Sequence, residues 1–447
     1  MIKKIFYFIV LLSLISMSSY AKAVSDFIKK SDFEFYSTTS IYVKNKKNNK
    51  VIYKKNEKKL LNPASTLKLL TFGAAYKVLG ENYKFETAVY QDLNSNLYIK
   101  LGADPMLSSA DLVRLFRDVK EKLDTTKINN IYIDSTIIDK TPYPSGWMQE
   151  DIWPKQRMIT PYIVDDNLTD ILLKRSSLAT NIDILQSDDY KIPIINELRP
   201  GNVQNYSILK NYGENSPIIT FNGTLKEDET IKLPVLNPEI NFVIKISKAL
   251  NKNNYLYDRI LQFRKIPSAG ITKIASCNHT IETVSKNILY LSDNFTSEVV
   301  SKVAAAKHIN YSHPATNEDM IKMFHDVYGS FLTPEIKITD SSGVSRNNFL
   351  NTDFMVNAMI YIADITKTEC LLPASNTGTL TDRLLFLKDN LRAKTGTLAD
   401  MSGIMGMLNS KKCNKLYFAI IIQNTPKRKA LLKNFEDNII TLIWRKY

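Results

Sequence analysis

In "TTSIYVKNKKNNKVIYKKN", apolar and polar residues alternate on either side of a polar turn at Lys46–Asn49, which is the pattern of a β-hairpin. The next segment, "LNPASTLKLLTFGAAYKVLG", is continuously apolar at helical length. Asn62 is placed to cap it, Pro63 suits a first helical position, and Gly80 suits a stop. From about residue 85 to 275 the texture changes to short β-rich runs separated by turns, among them "KFETAVYQDLNSNLYIKLG", "INNIYIDSTIID" and "NYSILKNYGENSPIITFNGTLKE". One helix, "SSADLVRLFRDVKEKL", stands among these runs. Helical spacing returns near Leu289 and runs through "SEVVSKVAAAKHI", "NEDMIKMFHDVYG" and "NTDFMVNAMIYIADI". The chain then reads as a meander. "LRAKTGTL" and "GIMGMLNS" flank a turn at Asp400–Gly403, a second turn at Lys411–Asn414 leads to "KLYFAIIIQN", and "KALLKNFEDNIITLIWRKY" forms a last helix that suits a core better than a membrane surface. The pattern predicts an α+β protein with an antiparallel sheet flanked by helices. Its two ends, 24–84 and 276–447, form one domain, and 85–275 forms inserted β-rich material.

The first residues change this picture at one end only. "MIKKIFYFIVLLSLISMSSYAKA" has Lys3 and Lys4, an apolar stretch from Ile5 to about Ile15, and small residues ending at Ala23. This is the layout of a cleavable secretory signal over 1–23. Its apolar stretch is shorter than the ~20 residues that span a bilayer, so the expected mature protein is exported and periplasmic or extracellular, with no stable membrane anchor. Removing Lys3, Lys4 and Lys22 takes the formal charge from +14 to +11. For an exported chain that excess suits anionic envelope material. No basic tract with interleaved aromatics speaks for nucleic acid. Cys277, Cys370 and Cys413 are too few for a disulfide framework or a metal knuckle, and one unassigned bridge is left open. His279, His308, His313 and His325 lack any ligand spacing. No metal or cofactor is expected. The sequence says nothing about oligomeric state.

The candidate chemistry begins with Ser65 and Lys68. S-x-x-K alone is a weak signal, and it recurs at Ser19–Lys22 in the signal and at Ser207–Lys210 in a strand-like stretch. Only Ser65 and Lys68 sit on an expected helix, where residues three apart share a face. Helix capping would explain a serine there. A nucleophile beside a lysine base would explain both residues, because a helix N-terminus favours an oxyanion and a buried lysine can lose its proton. Two further triplets choose between these readings. Ser292-Asp293-Asn294 and Lys394-Thr395-Gly396 each occur once, in the order S-x-x-K, S-D-N, K-T-G.

With these motifs the chain resembles the penicillin-recognising serine enzymes, whose fold is β-lactamase/transpeptidase-like. Within them it resembles the low-molecular-mass class C penicillin-binding proteins, the D-alanyl-D-alanine carboxypeptidase/endopeptidases of the penicillin-binding protein 4 type. "LGADPMLSSADL", "IYIDSTIID", "DSSGVSRNN" and "LPASNTGTLTDR" extend the likeness over nearly all the mature chain, although "LPASNTGTL" is abbreviated. The separation of 227 positions from Ser65 to Ser292 suits a class with inserted domains. The resemblance implies peptidoglycan stem peptides as substrates and β-lactams as covalent inhibitors. It makes Ser65 the acylated nucleophile, Lys68 its base and Ser292 a proton relay, and has Asn294 hold the acyl-side amide. Lys394 adds charge, Thr395 binds the terminal carboxylate, and Gly396 admits the substrate strand. The backbone N–H groups of Ser65 and Thr397 form the oxyanion hole. Asp293 completes its triplet.

Two other functions share these features: a serine β-lactamase, which needs fast deacylation, and a catalytically silent peptidoglycan-binding protein. For the first, Glu197 and Asn202 in "NELRPGN" lack the spacing of a water-holding loop. The intact triplets argue against the second. In "GWMQEDIW", Glu150 and Asp151 are candidate selectors for the free ammonium of a stem's diamino acid.

Overall fold

The computed structural model describes residues 22–31, 33–176, 181–212, 217–255 and 261–447. Of the expected signal over 1–23, residues 1–21 lie outside them, while 22–30 is helical. Among the described residues no helix is long and apolar enough to cross a membrane.

The hairpin forms as its alternation predicts, from strands Thr38–Asn45 and Val51–Lys55. Its first strand pairs antiparallel with Lys415–Gln423 along its whole length, Thr38 opposite Gln423 and Asn45 opposite Leu416. Met401–Asn409 and Leu391–Leu398 continue the sheet outward, so Leu391–Leu398 and Val51–Lys55 are its edges. Leu398 pairs with Met401, which closes the turn on Ala399 and Asp400 alone; the expected turn at Asp400–Gly403 is corrected, because Gly403 already pairs with Gly396. One face carries Ile41, Val43, Ile404, Leu408, Ile420 and Ile422 against Leu432, Phe435, Ile439 and Ile443 of the last helix, Lys429–Lys446. That helix is a core helix, as its sequence suggested. Its wholly buried Glu436 is paired with Arg383 at 2.8 Å, and burial raises the Glu436 pKa while the guanidinium opposes that rise. Residues of the other parity, such as Tyr42, Ala419 and Ile421, are buried on the opposite face, which helices Leu67–Leu79 and Thr352–Ile365 cover. Being buried on both faces explains the unbroken apolar run in "KLYFAIIIQ".

These elements belong to one of two compact units, made of residues up to Glu81, Ser285–Ser297 and Met320–Tyr447. The other comprises Asn82–Val284 and Glu298–Asp319. The sequence had put the edges of the inserted part at 85 and 275. Within the second unit, strands Lys84–Asp92, Leu97–Lys100, Ile131–Asp134, Gln262–Phe263 and Ile271–Thr280 form a mixed sheet. Its core face packs Val89, Ile99 and Ile133 against Leu112, Leu115 and Phe116 of helix Ser109–Lys120 and Phe242 and Ile246 of helix Pro238–Lys252. The second of these helices corrects the reading of a single helix in this region. Asn237 caps it by accepting from the Ile240 N–H at 3.1 Å, and Pro238 takes its first turn. Its β-branched run Val243–Ile244 hid the helical period. Two three-stranded sheets, drawn from Leu168–Pro234, share a further core around Ile171, Phe221 and Leu233.

All three cysteines are free. His279 is bonded through Nδ1 to Asp104 at 2.7 Å, which raises its pKa.

Candidate active site

Ser65 does not begin an α-helix outright. Ala64–Thr66 is a 3₁₀ turn, and the α-helix starts at Leu67. Asn62 therefore caps the 3₁₀ turn, accepting from the Ala64 N–H at 2.8 Å, and Pro63 precedes the turn. The expectation that Asn62 and Pro63 open the α-helix itself is corrected to this extent. Ala64 has φ +45°, an uncommon conformation for a residue with a Cβ. It turns the chain so that Ser65 stays half-exposed while Lys68 is wholly buried beneath it. The helix ends at Gly80, whose φ is +87°.

The Lys68 Nζ donates to Ser65 Oγ at 2.8 Å, to Asn294 Oδ1 at 2.7 Å and to the Ser342 carbonyl at 2.7 Å. These acceptors come from three chain segments. Asn294 opens helix Asn294–His308. Ser292 precedes it with φ +60° and accepts from Lys394 Nζ at 2.8 Å. Asp293 is committed to the helix start, its Oδ2 accepting from Thr296 N at 2.8 Å and Thr296 Oγ1 at 2.5 Å. The S-D-N triplet thus turns Ser292 toward one lysine and Asn294 toward the other.

Lys394 lies on edge strand Leu391–Leu398, wholly buried, and also donates to the Thr395 carbonyl at 2.8 Å. Burial first, and the charge of Lys68 second, push its pKa well below the ordinary lysine range. Two desolvated ammonium groups repel, so the pair gives up one proton far more readily than a surface lysine would. Thr395 is nearly buried and Thr397 half-exposed. Gly396 passes so close to the serine turn that a Cβ there would meet Ser65 N and Thr66 N at 2.9 Å. The outer edge of this strand is covered by Pro373–Ser375 beside Leu391–Ala393, and no described strand pairs beyond that.

The Ser342 carbonyl was not predicted, since no residue pattern reveals a main-chain acceptor, although "DSSGVSRNN" was already singled out. Asp340 organises that loop. Its carboxylate accepts from Gly343 N at 2.9 Å, Ser345 N at 2.8 Å and Asn348 Nδ2 at 2.7 Å. Gly343 has φ +82°, and a Cβ there would lie 1.9 Å from the Ala64 carbonyl. Gly343→Ala is accordingly expected to displace the serine turn, costing about 1–3 kcal/mol of stability and slowing acylation at least ~10-fold for ~1.4 kcal/mol of lost positioning. Chemical denaturation and single-turnover labelling with a fluorescent penicillin measure the two effects.

Of the remaining sequence candidates, Glu150 and Asp151 fall in the second unit, on the one-turn helix Gln149–Ile152, with Glu150 exposed. No group of His, Cys, Asp and Glu able to hold a metal occurs among the described residues.

An antiparallel sheet with helices on both faces, carrying a serine–lysine helix against its edge strand, is the fold of the penicillin-recognising serine enzymes. Residues 21–445 match the D-Ala-D-Ala carboxypeptidase 3 (S13) family, and the chain belongs to that family. It is a serine-type D-alanyl-D-alanine carboxypeptidase. Among its relatives, the penicillin-sensitive carboxypeptidase A of Dictyostelium discoideum is 24% identical over 88% of this chain and 83% of its own length. The D-alanyl-D-alanine carboxypeptidase DacB of Haemophilus influenzae is 22% identical over 92% and 91%. The crystal structure of penicillin-binding protein 4 from Haemophilus influenzae has the same fold, with a TM-score of 0.82 at 20% identity over 94% of this chain and 99% of that one. A second structure of that protein holds a β-lactam.

Proposed function

We propose that the chain removes the terminal D-alanine of peptidoglycan stem peptides through an acyl-enzyme on Ser65. The observation that carries this reading is the set of three acceptors around Lys68 Nζ. A neutral amine has two N–H bonds and one lone pair. If Asn294 Oδ1 and the Ser342 carbonyl take the two N–H bonds, the lone pair faces the Ser65 hydroxyl, as a general base requires. Ser65 Oγ attacks the penultimate carbonyl while its proton moves to Lys68. The N–H groups of Ser65 and Thr397 hold the oxyanion. Ser292, whose oxygen is engaged by Lys394, gives its proton to the departing amine and takes one back from the lysine pair, which returns Lys68 to the neutral form as D-alanine leaves neutral at nitrogen. Asn294 holds the acyl-side amide, and water then releases the shortened stem. The substrate backbone lies along the open part of Leu391–Leu398 as an added strand, its carboxylate near Lys394 and Thr395 and its approach eased by Gly396. A β-lactam acylates the same serine and blocks it.

Further parts of this reading concern the rest of the chain. Residues 1–23 direct export to the periplasm or cell exterior. Residues 85–275 form inserted domains, and endopeptidase action on cross-links follows from the same acylation. Digesting muropeptides with the purified protein and weighing the products by mass spectrometry tests the proposal. Loss of one D-alanine supports it. Rapid nitrocefin turnover with no D-alanine released would instead favour a β-lactamase, and failure to bind labelled penicillin would favour a silent binding protein.

Glu150 and Asp151 are proposed to select the stem's free ammonium by charge. Glu150→Gln with Asp151→Asn is expected to lower kcat/KM about tenfold for a stem with a free side-chain amine, ~1.4 kcal/mol. Hydrolysis of its acetylated analogue and acylation by penicillin should be unaffected. An unchanged ratio between the two stems rules these residues out as the selector.

A further inference from the structure

In the second unit, alternation along the mixed sheet sends Val89, Ile99 and Ile133 into the core and turns Lys84, Glu86, Ala88, Lys100 and Asp134 to the opposite face. A cavity of about 280 Å³ lies on that face. Its floor is made of small residues. Ala88 is one, and Gly102 is another, where a Cβ would lie 2.2 Å from the Glu86 carbonyl. Its walls are long: Tyr83, Tyr90 and Tyr311 contribute rings, and Lys84, Lys100 and Lys265 contribute amines.

The charges on this lining do not cancel. Glu86 is already paired with Lys273. Asp134 accepts from Thr136 N at 3.0 Å, Thr136 Oγ1 at 2.6 Å and Ile266 N at 2.9 Å, so its carboxylate is committed to the backbone. Among the described residues Lys84, Lys100 and Lys265 have no carboxylate within ion-pairing distance. Three unpaired cations around a small-floored, tyrosine-walled hollow attract an oxyanion. The rings suit the apolar face of a sugar that carries it, in the way aromatic side chains combine an apolar body with a polar tip.

We infer that this cavity is a binding site, separate from the serine–lysine site, for an anionic sugar: a pyranose bearing a carboxylate or a phosphate. The two sources of charge are distinguishable because the sugar can be held constant. Calorimetric titration of the full chain with N-acetylmuramic acid, N-acetylglucosamine 6-phosphate, neutral N-acetylglucosamine and inorganic phosphate separates the contributions. One of the two charged sugars is expected to bind at least about tenfold more tightly than the neutral sugar, ~1.4 kcal/mol, with the affinity falling as salt rises; whichever it is identifies the source. Lys100→Gln with Lys265→Gln should remove that preference while leaving melting temperature and penicillin acylation as in the parent. Tyr90→Ala should weaken the sugars more than inorganic phosphate. Equal affinity for charged and neutral sugars, phosphate alone binding as tightly as the phosphosugar, or a preference that survives the double lysine variant would each overturn the assignment.

Discussion

Ser65→Ala protein is expected to form no covalent adduct with labelled penicillin and to release D-alanine from a stem peptide at least ~10³-fold more slowly than the parent, the scale on which removing a nucleophile acts. The fold should be indifferent to the change. Ser65 is half-exposed, so its hydroxyl contributes little packing. Lys68 keeps two of its three acceptors, Asn294 Oδ1 and the Ser342 carbonyl, and water can reach the third position. Stability should therefore stay within about 0.5 kcal/mol of the parent, as for substitutions outside the core. Intact-mass spectrometry after incubation with benzylpenicillin, paired with a thermal melt, gives both numbers. A Ser65→Ala protein that still gained the mass of the drug would mean that another residue is acylated.

Lys68→Arg should be nearly as damaging as Lys68→Ala, although it keeps the cation. Guanidinium does not give up its proton in the working pH range, and its planar fork does not fit a site that offers three converging acceptors to one nitrogen. The expected loss in the acylation rate constant exceeds tenfold by a wide margin, and an arginine variant within tenfold of the parent, ~1.4 kcal/mol, would refute the role of Lys68 as base. The pH dependence supplies a second check. Burial, and then the charge of Lys68 beside it, hold the Lys394 pKa well below the ordinary lysine range, so one proton leaves the two-lysine cluster early. Acylation by the parent should therefore rise with pH as the pair loses its first proton and level off below the pH at which a surface lysine titrates. The arginine variant should lack that rising limb.

Much of this site was legible in the sequence because its chemistry sits in side chains at fixed spacing. Ser65 and Lys68 are one helical turn apart, and the S-D-N and K-T-G triplets each present side chains whose type is their function. What escaped was carried by the backbone. The Ser342 carbonyl that holds Lys68 is common to every residue type. The left-handed conformations of Ala64 and Ser292, which aim their neighbours, occur at residues that show no preference for them. Fold-level misreadings have a similar origin. Helix Pro238–Lys252 combines a sound cap with a β-branched interior, and tertiary packing of Phe242 and Ile246 outweighed local propensity. The turn after Leu398 was drawn too long because Gly403 looked like a turn residue. Gly403 instead lies within the strand opposite Gly396, and of the two only Gly396 has no room for a Cβ, against Ser65 N and Thr66 N.

The pairing of Thr38–Asn45 with Lys415–Gln423 also dictates when the enzyme can come into being. Thr38 and Gln423 are partners 385 positions apart in the chain, so the sheet that carries Lys394 gains its central strand pair only when nearly the whole chain is available. Contacts this distant in sequence close late, because the entropy of so long a loop must be overcome before any ladder bond forms. Until then the hairpin near the N-terminus exposes an unpaired edge, and Ser65 and Lys68 stand without Lys394 beside them. A chain still emerging from synthesis is thus a hydrolase in sequence only. A product cut short between residues 394 and 415 would carry both Ser65 and Lys394 yet lack Lys415–Gln423, the strand that joins the Lys394 hairpin to the N-terminal one.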